Sequence, residues 1–147
     1  MSTGKTALPA VVASVMALLA DGSPPLAAGG VWDYVPADPV WPFICLDSAA
    51  EVPDDTYGAQ GRTVQLTFAI FSNYQGRSEQ FAILDLMIAL LRHVKFGVDG
   101  SPPLLSGWEH IVTWHTGSQA ISPFEVGNTR AGATQVSFEV QVVESTP

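Results

Sequence analysis

Between Thr63 and Ile70 apolar and polar positions alternate: Val64, Leu66, Phe68 and Ile70 fall on one side, and Thr63, Gln65, Thr67 and Ala69 on the other. A period of two in a stretch rich in β-branched and aromatic residues predicts a half-buried strand over 62–71. Residues 72–76 are turn chemistry. Ser78, with Glu79 in the first turn, then opens a helix predicted over 78–95. On a helical wheel Ser78, Ala82, Asp85, Ala89, Arg92 and His93 form one narrow polar or small stripe. Phe81, Ile83, Leu84, Leu86, Met87, Ile88, Leu90, Leu91 and Val94 fill most of the remainder. A surface helix needs an apolar arc only somewhat over ~100° wide, and this arc is about twice that. A single sheet face cannot cover it, so the pattern calls for another helix, another subunit, or both. Asp85 shares the polar stripe with Arg92, which predicts a surface or interfacial ion pair.

The same reading extends to the rest of the chain. A helix is predicted over Thr6–Ala20, with Pro9 tolerated in its first turn. Leu8, Val11, Val12, Val15, Met16, Leu18 and Leu19 share one face; Thr6, Ala10, Ala13, Ser14, Ala17 and Ala20 make the other. No charge falls between Lys5 and Asp21, so that small back face reads as an exposed Ala-rich surface or a subunit contact. The hexamer DGSPPL ends this helix at 21–26 and returns at 99–104 after the second one, a helix stop used twice.

Short strands are predicted over Val31–Val35 and Phe43–Asp47, separated by Pro36, Pro39 and Pro42. Ser48–Gly61 reads as an acidic loop. Trp108–His115 alternates again, with Trp108, His110, Val112 and Trp114 on one face. Ala120–Val126 is a further short strand, 127–132 a turn or hairpin tip, and Ala133–Glu144 the last strand. In that strand Val136, Phe138, Val140 and Val142 point inward. The order predicts one domain over residues 1–147 of the α+β class: a two-layer sandwich, an antiparallel or mixed sheet with two helices on one face.

Composition sharpens the picture. Hydrophobic residues make up 47% of the 147-residue chain and charged residues 14%, against about 25% charged in typical soluble domains. Either the protein is membrane-bound or part of its surface is an interface. The longest dense apolar run, Phe81–Leu91, contains Asp85 and falls well short of the roughly 20 residues a spanning helix needs, so no membrane partner is expected. The N-terminus imitates a signal peptide only weakly: it has one basic residue, an early Pro9 and helical periodicity. A formal charge of −8 disfavours binding nucleic acid by phosphate neutralisation. The single cysteine, Cys45, reads as a small core residue in a reducing compartment.

Catalytic constellations are scarce, and the chain is expected not to be an enzyme. His110 and His115, five apart in one strand, should face opposite sides and cannot make a paired metal site. Asp47, Glu51, Asp54 and Asp55 lack the alternating spacing of a calcium loop and read as a solvated acidic loop. There is no P-loop and no Gly-x-Ser-x-Gly. No cofactor or metal is expected. Of Trp32, Trp41, Trp108 and Trp114, Trp41, between Pro39 and Pro42, is the one expected to be exposed.

Taken in order, the motifs resemble a family. The leading helix, Val31–Pro36, Pro42-Phe43-Ile44, the acidic loop, Thr63–Arg77 and the following helix together look like the small tail-completion or tail-terminator proteins of long-tailed bacteriophages and related gene transfer agents. The strand–SxYxGR–helix segment carries most of the weight, and the closing strand with Phe138 fits. The double DGSPPL and Trp41 are not parts of the pattern. The resemblance implies a virion structural protein made in the host cytoplasm. It would form a homo-oligomeric ring, usually a hexamer, on the head-proximal end of the tail tube. That ring ends tube growth, meets the tail tube protein and the head connector or neck protein, and lets DNA pass through its lumen without specific binding. Candidate contact residues are Asp47, Glu51, Asp54, Asp55, Asn73, Tyr74, Arg77 and Trp41. The other readings are a neck or head-completion connector, and a soluble dimeric ligand-binding or enzymatic domain with a Trp-lined pocket near His110 and His115.

Overall fold

A computed structural model describes residues 6–20, 26–35, 37–38, 40–53, 61–73, 77–92, 108–126 and 129–144 of the protein. Helix α1 (Leu8–Ala20) is followed by strands β1 (Val31–Trp32), β2 (Phe43–Pro53) and β3 (Gly61–Ser72), helix α2 (Ser78–Arg92), and strands β4 (Trp108–Val126) and β5 (Thr129–Glu144). The strands form one sheet in the order β1-β2-β3-β5-β4. β1 pairs parallel with β2 and every other pairing is antiparallel, so the sheet is mixed.

The alternation at 62–71 does what a period of two dictates. Val64, Leu66, Phe68 and Ile70 are buried and stand opposite Val140, Phe138, Val136 and Thr134 of β5. Paired residues share a sheet face, and on this face they meet Val11, Val15, Leu18 and Leu19 of α1 and Ile83, Met87 and Leu91 of α2. Both helices therefore cover the same side of the central strands. Each fully buried Leu, Ile, Val or Phe on this face contributes about 1.5–3 kcal/mol of transfer free energy. The opposite face is mostly polar and half-buried; Thr67 and Ser137, paired across it, bring their hydroxyls to 3.0 Å. At one end of that face Trp41, Phe43 and Phe71 form an aromatic row, with Phe43 and Phe71 stacked at 4.9 Å.

Several boundaries differ from the sequence expectation. β2 runs on through Ser48–Pro53, where a loop was expected. The segment SAAEVP has no apolar alternation of its own; β3 holds it, pairing Ala49 with Leu66 and Glu51 with Val64. Asp47 is the extra residue at a bulge between Leu46 and Ser48. β1 is only two residues long, and Asp33, Tyr34 and Val35 are exposed. The segments 108–115 and 120–126 are one continuous strand with three irregularities, after His110, His115 and Ile121. Pro123 lies in the last of them, as expected for a proline in an edge strand. Residues 129–132 belong to β5 rather than to a turn. Both copies of DGSPPL apart from Leu26, and His93–Lys95, lie outside the described residues.

The connection into β1 depends on close backbone approach. Gly29 N–H donates to Pro42 O at 2.7 Å, Ile44 N–H to Gly30 O at 3.0 Å, and the Trp32 indole N–H to Gly29 O at 2.7 Å. Gly30 has φ +86°, a left-handed conformation that glycine adopts without steric penalty.

Candidate assembly surfaces

The bulges in β4 overturn the expectation that His110 and His115 face opposite sides. His110 stands opposite Val142 and His115 opposite Phe138, two positions on the same sheet face. One extra residue after His110 resets the strand's phase. For the same reason Trp108 and His110 lie on the helix-covered face, whereas Val112 and Trp114 lie on the other. Each histidine bridges its bulge to a hydroxyl three residues on: His110 Nε2 to Thr113 Oγ1 at 2.7 Å and His115 Nε2 to Ser118 Oγ at 2.6 Å. Their partners on β5 are four residues apart, which places the two positions about 14 Å from each other at a strand rise near 3.4 Å per residue. The bridges hold the edge strand in shape and do not converge on a ligand. Among the described residues, no group of three or more His, Cys, Asp and Glu is placed to hold a metal ion.

Glu51 is tied inside the molecule rather than lying in a solvated loop. Its carboxylate accepts from Ala7 N–H at 2.6 Å and from the Thr6 hydroxyl, which satisfies the first donors of α1 from 44 residues away in sequence. Arg62 Nε lies 3.7 Å from the same carboxylate, and its guanidinium sits over the Trp108 ring at 5.8 Å. A negative charge here also complements the helix dipole. Glu51→Ala is expected to lower the unfolding free energy by about 1–2 kcal/mol, with Glu51→Gln losing less, measured by urea denaturation. An unchanged urea midpoint in Glu51→Ala would show that the cap contributes nothing.

The other candidates divide by exposure. Asp47 is exposed and accepts from Gln135 Nε2 at 3.0 Å. Asn73 and Arg77 are exposed beside the start of α2. Asp54, Asp55 and Tyr74 lie outside the described residues. Trp41 is half-buried against Phe43 at 5.1 Å. The exposed tryptophan is instead Trp114, whose indole N–H donates to Glu139 Oε2 at 2.9 Å. Cys45 is buried and its Sγ faces Leu46 O at 3.6 Å. Burial pushes its thiol pKa up, with the Asp47 and Asp33 carboxylates adding in the same direction, so the thiolate is disfavoured.

α2 shows how far one chain can hide its apolar arc. Ile83, Met87 and Leu91 are buried, and Leu84, Ile88 and Leu90 half-buried, while Phe81 and Leu86 remain 42% and 53% exposed. The exposed stripe is therefore wider than the polar one read from the wheel. Asp85 is exposed on it; the Arg92 side chain lies outside the described residues. One anchor of α2 escaped the sequence reading. Gln80 is buried and accepts from Thr134 Oγ1 at 2.7 Å, and a Cβ at Gly132 would come within 2.6 Å of Gln80 Nε2. The only signal for it in sequence was a glycine at the head of β5. No described helix is long and apolar enough to cross a membrane.

Comparison with known proteins adds to this geometry. A chain in the virion of a native gene transfer agent particle has a similar structure, with a TM-score of 0.69 at 17% identity over 97% of this chain and 99% of that one. At that identity the likeness speaks for the fold. No curated protein matched by sequence. The family model for tail completion protein gp17 matches residues 6–110, which takes in both helices, β1 to β3 and the start of β4. That family describes a structural protein of the virion tail and not an enzyme. With the match spanning well over half of its residues, the chain belongs to the tail completion protein gp17 family.

Proposed function

We propose that the protein assembles as a ring, a hexamer, on the head-proximal end of the tail tube, ends tube growth there, and forms the surface that joins the tail to the head connector. The observation that carries this reading is the outer side of α2. Phe81 and Leu86 remain exposed on a helix whose other large apolar side chains are covered or half-covered by the chain's own sheet. A helix this apolar, with large side chains left uncovered on both flanks, has surface that a neighbouring subunit would cover. The low fraction of charged residues supports the same conclusion. So does the fold shared with a chain of a gene transfer agent virion.

In this reading the ring works by shape, one end matching the tube and the other the connector. Asp47, Asn73 and Arg77, all exposed, are the contact residues proposed within the described chain. The excess of acidic residues lets DNA pass the lumen without being held. The test is tail assembly in cells producing or lacking the protein. Its loss is expected to give tubes of unregulated length and unjoined heads in negative-stain images, restored by supplying the chain in trans. Tubes of normal length, joined to heads, in its absence would refute the role.

A further inference from the structure

Two stripes of α2 are fit to face the sheet. Gln80, Ile83, Met87 and Leu91 make the one that the sheet covers, all four buried. Phe81, Leu84, Ile88 and Leu91 make the other, centred roughly 75° further round a helix that turns about 100° per residue. This second stripe is apolar at every position, whereas the first is headed by an amide. Burial of apolar surface alone favours the second, because it exchanges Gln80 for Phe81. The molecule does the opposite, leaving Phe81 42% exposed and Gln80 2%. Hydrophobic attraction has no direction, so a directional contact must set the rotation. It lies at the head of the stripe. Gln80 Oε1 accepts from Thr134 Oγ1 at 2.7 Å, and Thr134 is buried too. Gly132, two residues earlier on β5, leaves the space that the amide enters: a Cβ there would stand 2.6 Å from Nε2. The same helix end has a second tie, from Ser72 Oγ to Glu79 Oε1 at 2.5 Å, but Glu79 is half-buried and its carboxylate can turn to water. Gln80 and Thr134 have no such exchange. Rolling α2 onto its second stripe would part them and strand two buried polar groups, a larger loss than the bond's own net contribution.

We propose that Gln80 and Thr134 are positioning residues: their bond selects the stripe of α2 that faces the sheet, and thereby leaves Phe81 and Leu86 outward for a neighbouring subunit. A buried polar pair in this role picks one of two near-equal packings and adds specificity rather than stability. The consequence for assembly rests on the reading given under the proposed function; the choice of stripe does not.

The test removes both polar groups at once, Gln80→Leu with Thr134→Val, in the full chain. Carbon-13 NMR of the methionine methyls reads the result, since Met87 lies in the covered stripe and the other methionines are Met1 and Met16. Wild type is expected to give one Met87 signal. The double variant is expected to keep at least the wild-type urea midpoint, because apolar groups replace both partners. Its Met87 signal is expected to divide or move as α2 populates the second stripe. Adding Phe81→Glu, which puts a charge in that stripe and makes it too costly to bury, is expected to restore the wild-type signal. A packing defect at residue 80 would not respond to a charge on the outer flank. Gln80→Ile with Thr134→Val serves if the first pair does not fold. A Met87 signal that stays single and in place in the double variant overturns the proposal, as does a changed one that Phe81→Glu fails to restore. Failure of both double variants to fold also overturns it, since the pair would then be a source of stability. Normal joining of tails by a chain whose Met87 signal has changed would remove Phe81 and Leu86 as subunit contacts and leave the positioning role standing.

Discussion

Gly29→Ala is expected to lower the unfolding free energy by at least about 3 kcal/mol, enough to leave much of a marginally stable domain unfolded. The reason is space rather than backbone angle. A Cβ at residue 29 would stand 1.7 Å from the Val40 carbonyl oxygen and 2.8 Å from both the Val40 carbonyl carbon and the Pro42 oxygen. All three are backbone atoms, so no rotamer change can relieve the overlap. Moving the 40–42 segment away would stretch the 2.7 Å bond from Gly29 N–H to Pro42 O and disturb Trp41 and Phe43 in the aromatic row. Gly117→Ala on the edge strand is the control: nothing lies within 4 Å of its added Cβ, so the change should stay within about 0.5 kcal/mol of wild type. Equilibrium urea unfolding reads both. A Gly29→Ala chain with a wild-type midpoint would mean that the two segments do not approach this closely in solution.

That contrast also shows what the sequence could convey. Gly29 and Gly117 look alike in a sequence, because the atoms that crowd one of them come from residues 40–42. Where a local rule acts on local neighbours, the reading held. The alternation in β3, the inward valines and Phe138 of β5, both helices, and their placement on one face of the sheet all follow from period and order, whereas the parallel pairing of β1 that makes the sheet mixed was left open. It failed where a distant partner decides. Residues 48–53 have no strand pattern and are strand because β3 pairs with them. Glu51 was read with its acidic neighbours, yet it caps a helix 44 residues back in the chain. The phase of β4 was lost at its bulges, since one inserted residue turns every following side chain to the other face. Trp41 was expected to be exposed from the prolines around it; the stack with Phe43 that half-buries it comes from the sheet.

Glu substitutions on α2 are expected to separate folding from assembly. Phe81 and Leu86 are five residues apart, about 140° around a helix of 3.6 residues per turn, so they lie on opposite flanks of α2 with the exposed Ala82, Asp85 and Ala89 between them. Both side chains are only about half covered in the lone subunit, so Phe81→Glu and Leu86→Glu should each lower the unfolding free energy by no more than about 1 kcal/mol, read from the urea midpoint. In the particle the same changes would bury an unpaired carboxylate against apolar surface, a penalty of several kcal/mol. Each unit of about 1.4 kcal/mol is tenfold in an equilibrium, so incorporation into tails should fall by at least about a hundredfold for whichever flank is covered. Counting joined particles made with each variant reads this directly. If only one variant fails, that flank is the covered one. If both fold and both assemble normally, the wide apolar arc of α2 has no partner, and it no longer supports a multi-subunit cap.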